Sequence, residues 1–127
     1  MTAFIGVVAT NNADADGERF SDKALRCIYE QAQGKPVTVA FDGPPIGSIV
    51  MSALHEIDNF AIGVQVLAEG EYRGGLYLVP QFSFDPATVT EEDGIEVYHE
   101  IKLMGFGLTH DPADRHLTPI VKGRLEV

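Results

Sequence analysis

Apolar positions recur along the chain at two periods, and the change between them divides it. Phe4 to Ala9 is continuously apolar and rich in β-branched residues, the pattern of a buried strand. Thr10 to Arg19 is polar and reads as a loop. Between Ser21 and Gly34 the period lengthens, and Ala24, Leu25, Ile28, Tyr29 and Ala32 fall on one helical stripe. Ser21 is placed to cap that helix, Asp22 suits its first turn, and Gly34 stops it. No other stretch has helical spacing, so the stripe is expected to face a sheet.

From Lys35 onward the period shortens to that of strands. Pro36 to Phe41 alternates, Asp42-Gly43-Pro44-Pro45 reads as a strong turn, and Ile46 to Ile57 returns as a strand. Asp58-Asn59 turns the chain again into Phe60 to Ala68, which places Ile62, Val64 and Val66 on one face. A glycine-rich loop covers Glu69 to Gly75. Leu76 to Phe84 and Glu96 to Thr109 follow as strands, and Ile120 to Val127 adds an edge strand. Gly105 and Gly107 interrupt an apolar strand, where bending or close packing is the natural account. The expectation is an α+β, mainly β fold: an antiparallel curled sheet or barrel with one main helix packed on it, forming a single domain over residues 1–127.

Composition narrows the partners. The 127 residues are 45% apolar and 22% charged, ordinary for a soluble domain, but nineteen acids against nine bases give a net charge of −10. A surface that wraps nucleic acid needs clustered Lys and Arg, and so does one that docks on an anionic membrane. Neither partner is expected. The single cysteine, Cys27, cannot form an internal disulfide and falls on the inner face of the helix, as a packed thiol would. No apolar run approaches the ~20 residues of a membrane span, and no basic, apolar signal opens the chain, so folding in a cytoplasm is expected.

Candidate chemistry is sparse. Asn12, Asp14, Asp16 and Gly17 imitate the opening of a calcium loop, but Lys23 stands where the bidentate Glu would be, and a turn held by Asx hydrogen bonds explains them. His55, His99, His110 and His116 show no metal-ligand spacing; His110 and His116 share a polar loop with Asp111 and Asp114. No phosphate-cradling glycine loop is present, and no metal, cofactor or small-molecule substrate is expected. Among the serines, Ser21 reads as a cap, Ser48 and Ser52 alternate toward solvent, and Ser83 points to the face opposite Phe82 and Phe84.

Four segments, spanning about Phe4 to Ile120, resemble the prohead maturation proteases of tailed bacteriophages, including those of Mu-like and P2-like phages. The strand Ile5-Gly6-Val7-Val8 leads into Asp14-Ala15-Asp16-Gly17-Glu18-Arg19-Phe20 and a helix at Ser21. Pro36 to Asp42 followed by Pro45-Ile46-Gly47 is similar to that family's histidine strand, and Tyr77 to Asp85 to its nucleophile strand. Gly107-Leu108-Thr109 with Asp111-Pro112-Ala113 resembles its Leu-Thr-x-x-Pro-Ala corner, the most specific of the four. The resemblance implies the assemblin-type fold of herpesvirus proteases, a β-barrel with helices around it.

It also implies that the catalytic histidine falls on Phe41 and the serine nucleophile on Val79. Phenylalanine cannot accept a proton and valine cannot form an acyl-enzyme, so an inactive member is expected, with no catalytic residues. Both substitutions are apolar and are expected to close the old cleft into packed core. Ser83 lies on the same face as Val79 but ~13 Å further along the strand.

The resulting expectation is a non-enzymatic virion protein, made in the host bacterial cytoplasm and placed on the capsid surface as a decoration (cement) protein. Its partners would be the major capsid protein and further copies of itself. The absence of a long helical extension favours decoration over scaffolding, and Thr90 to Gly94 and Asp111 to Pro119 are the expected contact loops. The competing readings are a head-assembly factor, an active protease using Ser83 with His55 or His99, and a cellular β-barrel binding protein unrelated to phages.

Overall fold

The computed structural model describes residues 1–57 and 61–123. In chain order the elements are β1 (Thr2–Thr10), β2 (Glu18–Phe20), α1 (Asp22–Gln31), β3 (Pro36–Val39), β4 (Asp42–Ile57) and β5 (Ala61–Gly70). They continue with β6 (Tyr77–Phe84), a 3-10 turn (Pro86–Thr88), β7 (Thr90–Glu92), β8 (Ile95–Tyr98), β9 (Ile101–Thr109) and β10 (Val121–Lys122). Seven strands form one sheet in the order β10-β1-β5-β4-β3-β9-β6, and three form a second, β2-β8-β7. The fold is thus mainly β, with one α-helix among the described residues. The expected Asp58-Asn59 turn and the end of the expected last strand lie outside the described residues.

The expected antiparallel curled sheet or barrel is corrected in its strand pairing, and the barrel alternative in its closure. The large sheet is mixed, because β3 pairs with β9 in parallel, and β2 pairs with β8 in parallel as well. Among the described residues the large sheet is also not closed: β6 lies against β1 but pairs only with β9. Pro80 sits in the middle of β6, where an edge strand alone tolerates the missing N–H. Near the seam the Ile120 N–H donates to the Leu76 carbonyl at 2.9 Å, tying the two ends of the curled sheet together.

Local sequence explains α1 closely. Ser21 Oγ accepts the Ala24 N–H at 3.1 Å; Ala24 is fully buried, and Leu25, Ile28 and Ala32 are buried in one cluster with Phe4, Leu78, Phe106 and Leu108. Tyr29, counted on the same stripe, instead lies at its exposed margin. Gly34 follows with φ +83°, the left-handed conformation that ends the helix. Gln31, in the last turn, bridges to β9: its Oε1 accepts the Leu103 N–H at 2.8 Å and its Nε2 donates to the Ile101 carbonyl at 3.2 Å. β3 reaches β9 only from Phe106 to Leu108, so the Gln31 amide stands in for a missing strand.

The hairpin between β3 and β4 is displaced from its expected place. Val39 pairs with Asp42, so the turn is Ala40-Phe41, with φ of 51° and 64°. Both signs are those of a type I′ turn, whose twist suits a two-residue hairpin. The Asp42-Gly43-Pro44-Pro45 stretch belongs to β4, in a bulge between the Val39–Asp42 and Val37–Gly47 pairs where proline's missing N–H leaves no ladder bond unmade. The expected single strand from Glu96 to Thr109 is divided at His99-Glu100 between the two sheets, and Thr90 to Gly94, expected as a loop, is β7 and a tight turn. Among the described residues no helix is long and apolar enough to cross a membrane.

Replacing Gln31 by Leu keeps the side-chain size but leaves the Leu103 N–H and Ile101 carbonyl unpartnered. The expected loss is about 1–3 kcal/mol in urea denaturation, with an unchanged denaturant slope.

Candidate functional site

The site is assembled around Gly107. In β9 this glycine pairs with Val79 of β6 on one side and Thr38 of β3 on the other. Its bare α-carbon is covered by the Phe41 ring: a Cβ placed there would lie 2.6 Å from two ring carbons. Phe41 reaches this position because the Ala40-Phe41 turn puts its backbone at positive φ, a conformation that costs a non-glycine residue about 1–2 kcal/mol. The two positions that the protease resemblance assigns to histidine and serine therefore both adjoin one glycine.

They do not fill the space. Phe41 is 41% exposed and Val79 only half-buried, and both line an open cleft of about 430 Å³. The expectation that the apolar replacements close the cleft into packed core is overturned. The reason is geometric: Phe41 rides on a hairpin tip and lays its ring against the sheet, so it walls the cleft rather than plugs it.

The remaining walls come from segments distant in sequence. Val8, Ala9 and Thr10 at the end of β1 face Val79, Pro80 and Phe82 of β6 across the unpaired seam. Phe20 of β2 and Tyr98 of β8 close one end, in a cluster of edge-to-face and tilted aromatic pairs with Phe82 and Phe84 whose ring centres lie 4.7–6.2 Å apart. This cluster also fastens the small sheet to the large one.

Part of the rim is acidic. It is made of the loop carrying Asp14, Asp16 and Glu18 and of the corner carrying Asp111, Pro112, Ala113 and Asp114. The two loops run side by side, joined by the Ala15 N–H donating to the Ala113 carbonyl at 2.9 Å. Thr10, buried at the end of β1, donates its hydroxyl to Asp114 Oδ2 at 2.6 Å and so latches the corner to the sheet. Asp14 Oδ1 accepts the N–H groups of Asp16 and Glu18, both at 2.9 Å, which is the Asx turn read from the sequence.

Asp14, Asp16 and Glu18 bring carboxylate oxygens within 4.8 Å of one another and are, among the described residues, the group able to share a cation. Backbone N–H groups engage Asp14, and the Tyr98 hydroxyl donates to Glu18, so hydrogen bonding accounts for two of the three. Burial, and then the hydrogen bond and charge of Glu18, hold the Tyr98 phenol well above its usual value.

The other sequence candidates are scattered. Ser83 is exposed near the far end of β6, and Ser52 donates to the Tyr29 carbonyl at 2.7 Å rather than pointing free into solvent. His55 and His110 are exposed; His116 Nδ1 lies 3.3 Å from Asp114 Oδ1. His99 Nε2 contacts Thr90 Oγ1 at 2.7 Å on the small sheet, outside the cleft. Among the described residues no serine hydroxyl is hydrogen-bonded to a histidine ring. Cys27 is half-buried on α1 and packs against the core. Phe20, Tyr98 and the Thr10–Asp114 latch were not singled out from sequence, and the aromatic alternation Phe82, Phe84 was their one visible trace.

A scan against protein-family models and searches of curated proteins and of solved structures find no match.

The raised Tyr98 pKa has a defined consequence for stability. Above pH 10, its usual value, the phenol ionises in the unfolded chain while it stays protonated in the folded one. The unfolded state then binds fewer protons, so stability contributed by Tyr98 is complete below pH 10 and falls as pH rises beyond it. Urea denaturation across that range is expected to show the decline, and Tyr98→Phe to make it shallower.

Proposed function

We propose that this chain is a non-enzymatic virion protein of a tailed phage with a protease-derived, assemblin-like fold, acting as a capsid decoration protein that binds the major capsid protein. One observation carries the reading: Phe41 and Val79, the positions matched to the catalytic histidine and serine, both adjoin Gly107 and line one cleft. A coincidental resemblance gives no reason for two residues 38 apart in sequence to share a site. Convergence on the Leu-Thr-x-x-Pro-Ala corner, which rims the same cleft, adds to it. The side chains at both positions lack the chemistry of acyl transfer, since one must take a proton and the other must form the acyl bond.

A net charge of −10 supports a place on the outer capsid surface over a DNA-lined interior, where like charge repels. The exposed acidic edge of β7, Glu91-Glu92, with Asp93 in the turn beyond it, and the corner from Asp111 are the proposed contact surfaces with the capsid shell. Further copies of the chain are a second class of partner. The reading needs no cofactor.

Quantitative mass spectrometry of purified virions is expected to find the protein in hundreds of copies per particle, and a fluorophosphonate probe to leave it unlabelled. Absence from virions would overturn decoration in favour of an assembly role. Labelling at Ser83 would overturn the non-enzymatic reading.

A further inference from the structure

We infer that the cleft binds an extended segment of a partner polypeptide that carries an apolar side chain beside Lys or Arg. The inference stands on the cleft alone and goes beyond the capsid reading, because it names what the cleft takes whichever particle or cell carries the chain.

The cleft lining combines two kinds of surface. Phe41, Val79, Pro80, Phe82 and Phe20 are apolar. The acidic loop and corner contribute five carboxylates against Arg19 as the one cation in that lining. Arg19 is committed to Glu92 at 2.5 Å, and Asp111 is neutralised by Arg115 at 2.5 Å. Asp114 is held by Thr10, Glu18 by the Tyr98 hydroxyl, and Asp14 by two backbone N–H groups. Asp16 is exposed and its carboxylate takes no hydrogen bond among the described contacts. A volume of about 430 Å³ falls within the ~300–1,000 Å³ of ligand-binding clefts.

Charge complementarity selects the occupant. A second copy of this chain, at −10, would bring acid against acid, so the cleft fits a cationic, apolar stretch of a different protein. The mode of recognition follows from the seam. Among the described residues β10 pairs with β1 at Phe4 and Ile5, and no strand pairs with the outer edge of β6, so the gap between β6 and the end of β1 is open to a side chain. Pro80 removes a donor in the middle of β6 and so blunts that edge against addition of another strand. Recognition therefore runs through the inserted apolar side chain and the flanking charge, with backbone pairing secondary.

The test uses the ¹⁵N-labelled full chain and three capped pentapeptides: Gly-Arg-Leu-Arg-Gly, the same with Gly in place of Leu, and Gly-Glu-Leu-Glu-Gly. The first is expected to give saturable amide shifts at Ala9, Phe41, Val79 and Phe82 at millimolar concentration. Loss of the Leu side chain is expected to weaken binding about tenfold or more, the scale of burying one such side chain. The acidic peptide is expected to leave those amides unmoved. Asp16→Lys, at an exposed side chain on which the fold does not depend, is expected to weaken the cationic peptide about two- to fivefold. Three results would each overturn the inference: no saturable shift from the first peptide, equal response to the acidic one, or shifts mapping away from the cleft. Absence of the protein from virions would leave this result standing, and a cleft that ignores the peptides would leave virion incorporation standing.

Discussion

The contact between the Phe41 ring and the bare α-carbon of Gly107 decides the shape of everything around the cleft. It holds a hairpin tip in a backbone conformation that neither Ala40 nor Phe41 prefers, at about 1–2 kcal/mol each, and offsets that strain by covering the middle of β9. With the Phe41 ring packed against Gly107, Val79 in the neighbouring strand remains only half-buried and the cleft that both line stays open. A larger residue at 107 would lift the ring, and the cleft would lose its apolar wall.

Around that contact the molecule solves a second problem, how to attach a three-stranded sheet and two loops to a curled sheet that does not close. The aromatic cluster of Phe20, Phe82, Phe84 and Tyr98 supplies apolar area on one side. On the other, short polar latches act: Thr10 to Asp114, Tyr98 to Glu18, and the backbone bond from Ala15 to Ala113. Each latch satisfies a polar group drawn in from solvent, which is why the acidic rim can stand next to an apolar floor without orphaned buried atoms among the described residues. Apolar floor and carboxylate rim are thus by-products of how the seam is held, and they give the cleft its preference for a cationic, apolar segment.

Features set by local pattern were legible in the sequence. The helix from Asp22 to Gln31 was announced by its cap, stripe and glycine stop, and the apolar run at β1 and the alternation in β5 needed no tertiary knowledge. Gly105 and Gly107 were correctly read as points of close approach, though what approaches them was not readable. The parallel pairing of β3 with β9 escaped because it joins segments about 70 residues apart, and nothing local records such a partner. The β3–β4 turn was misplaced for a different reason. Asp-Gly-Pro-Pro is a far stronger local turn signal than Ala-Phe, and the ladder between Val39 and Asp42 overrode it. For the cleft, Phe41, Val79 and the corner after Thr109 were marked by resemblance, whereas Tyr98, Phe20 and the Thr10 latch depend on contacts spanning about 60 to 100 positions.

The claim that ties strain, cleft and partner together is that Phe41 and Gly107 act as one packed unit. A double-mutant cycle with Phe41→Ala and Gly107→Ala, read by urea denaturation, measures that directly. If the ring occupies the glycine's missing side chain, Gly107→Ala is costly in the wild-type background and close to neutral once the ring is removed, giving an interaction energy of about 1–3 kcal/mol. Additivity of the two changes to within about 0.5 kcal/mol would contradict the account.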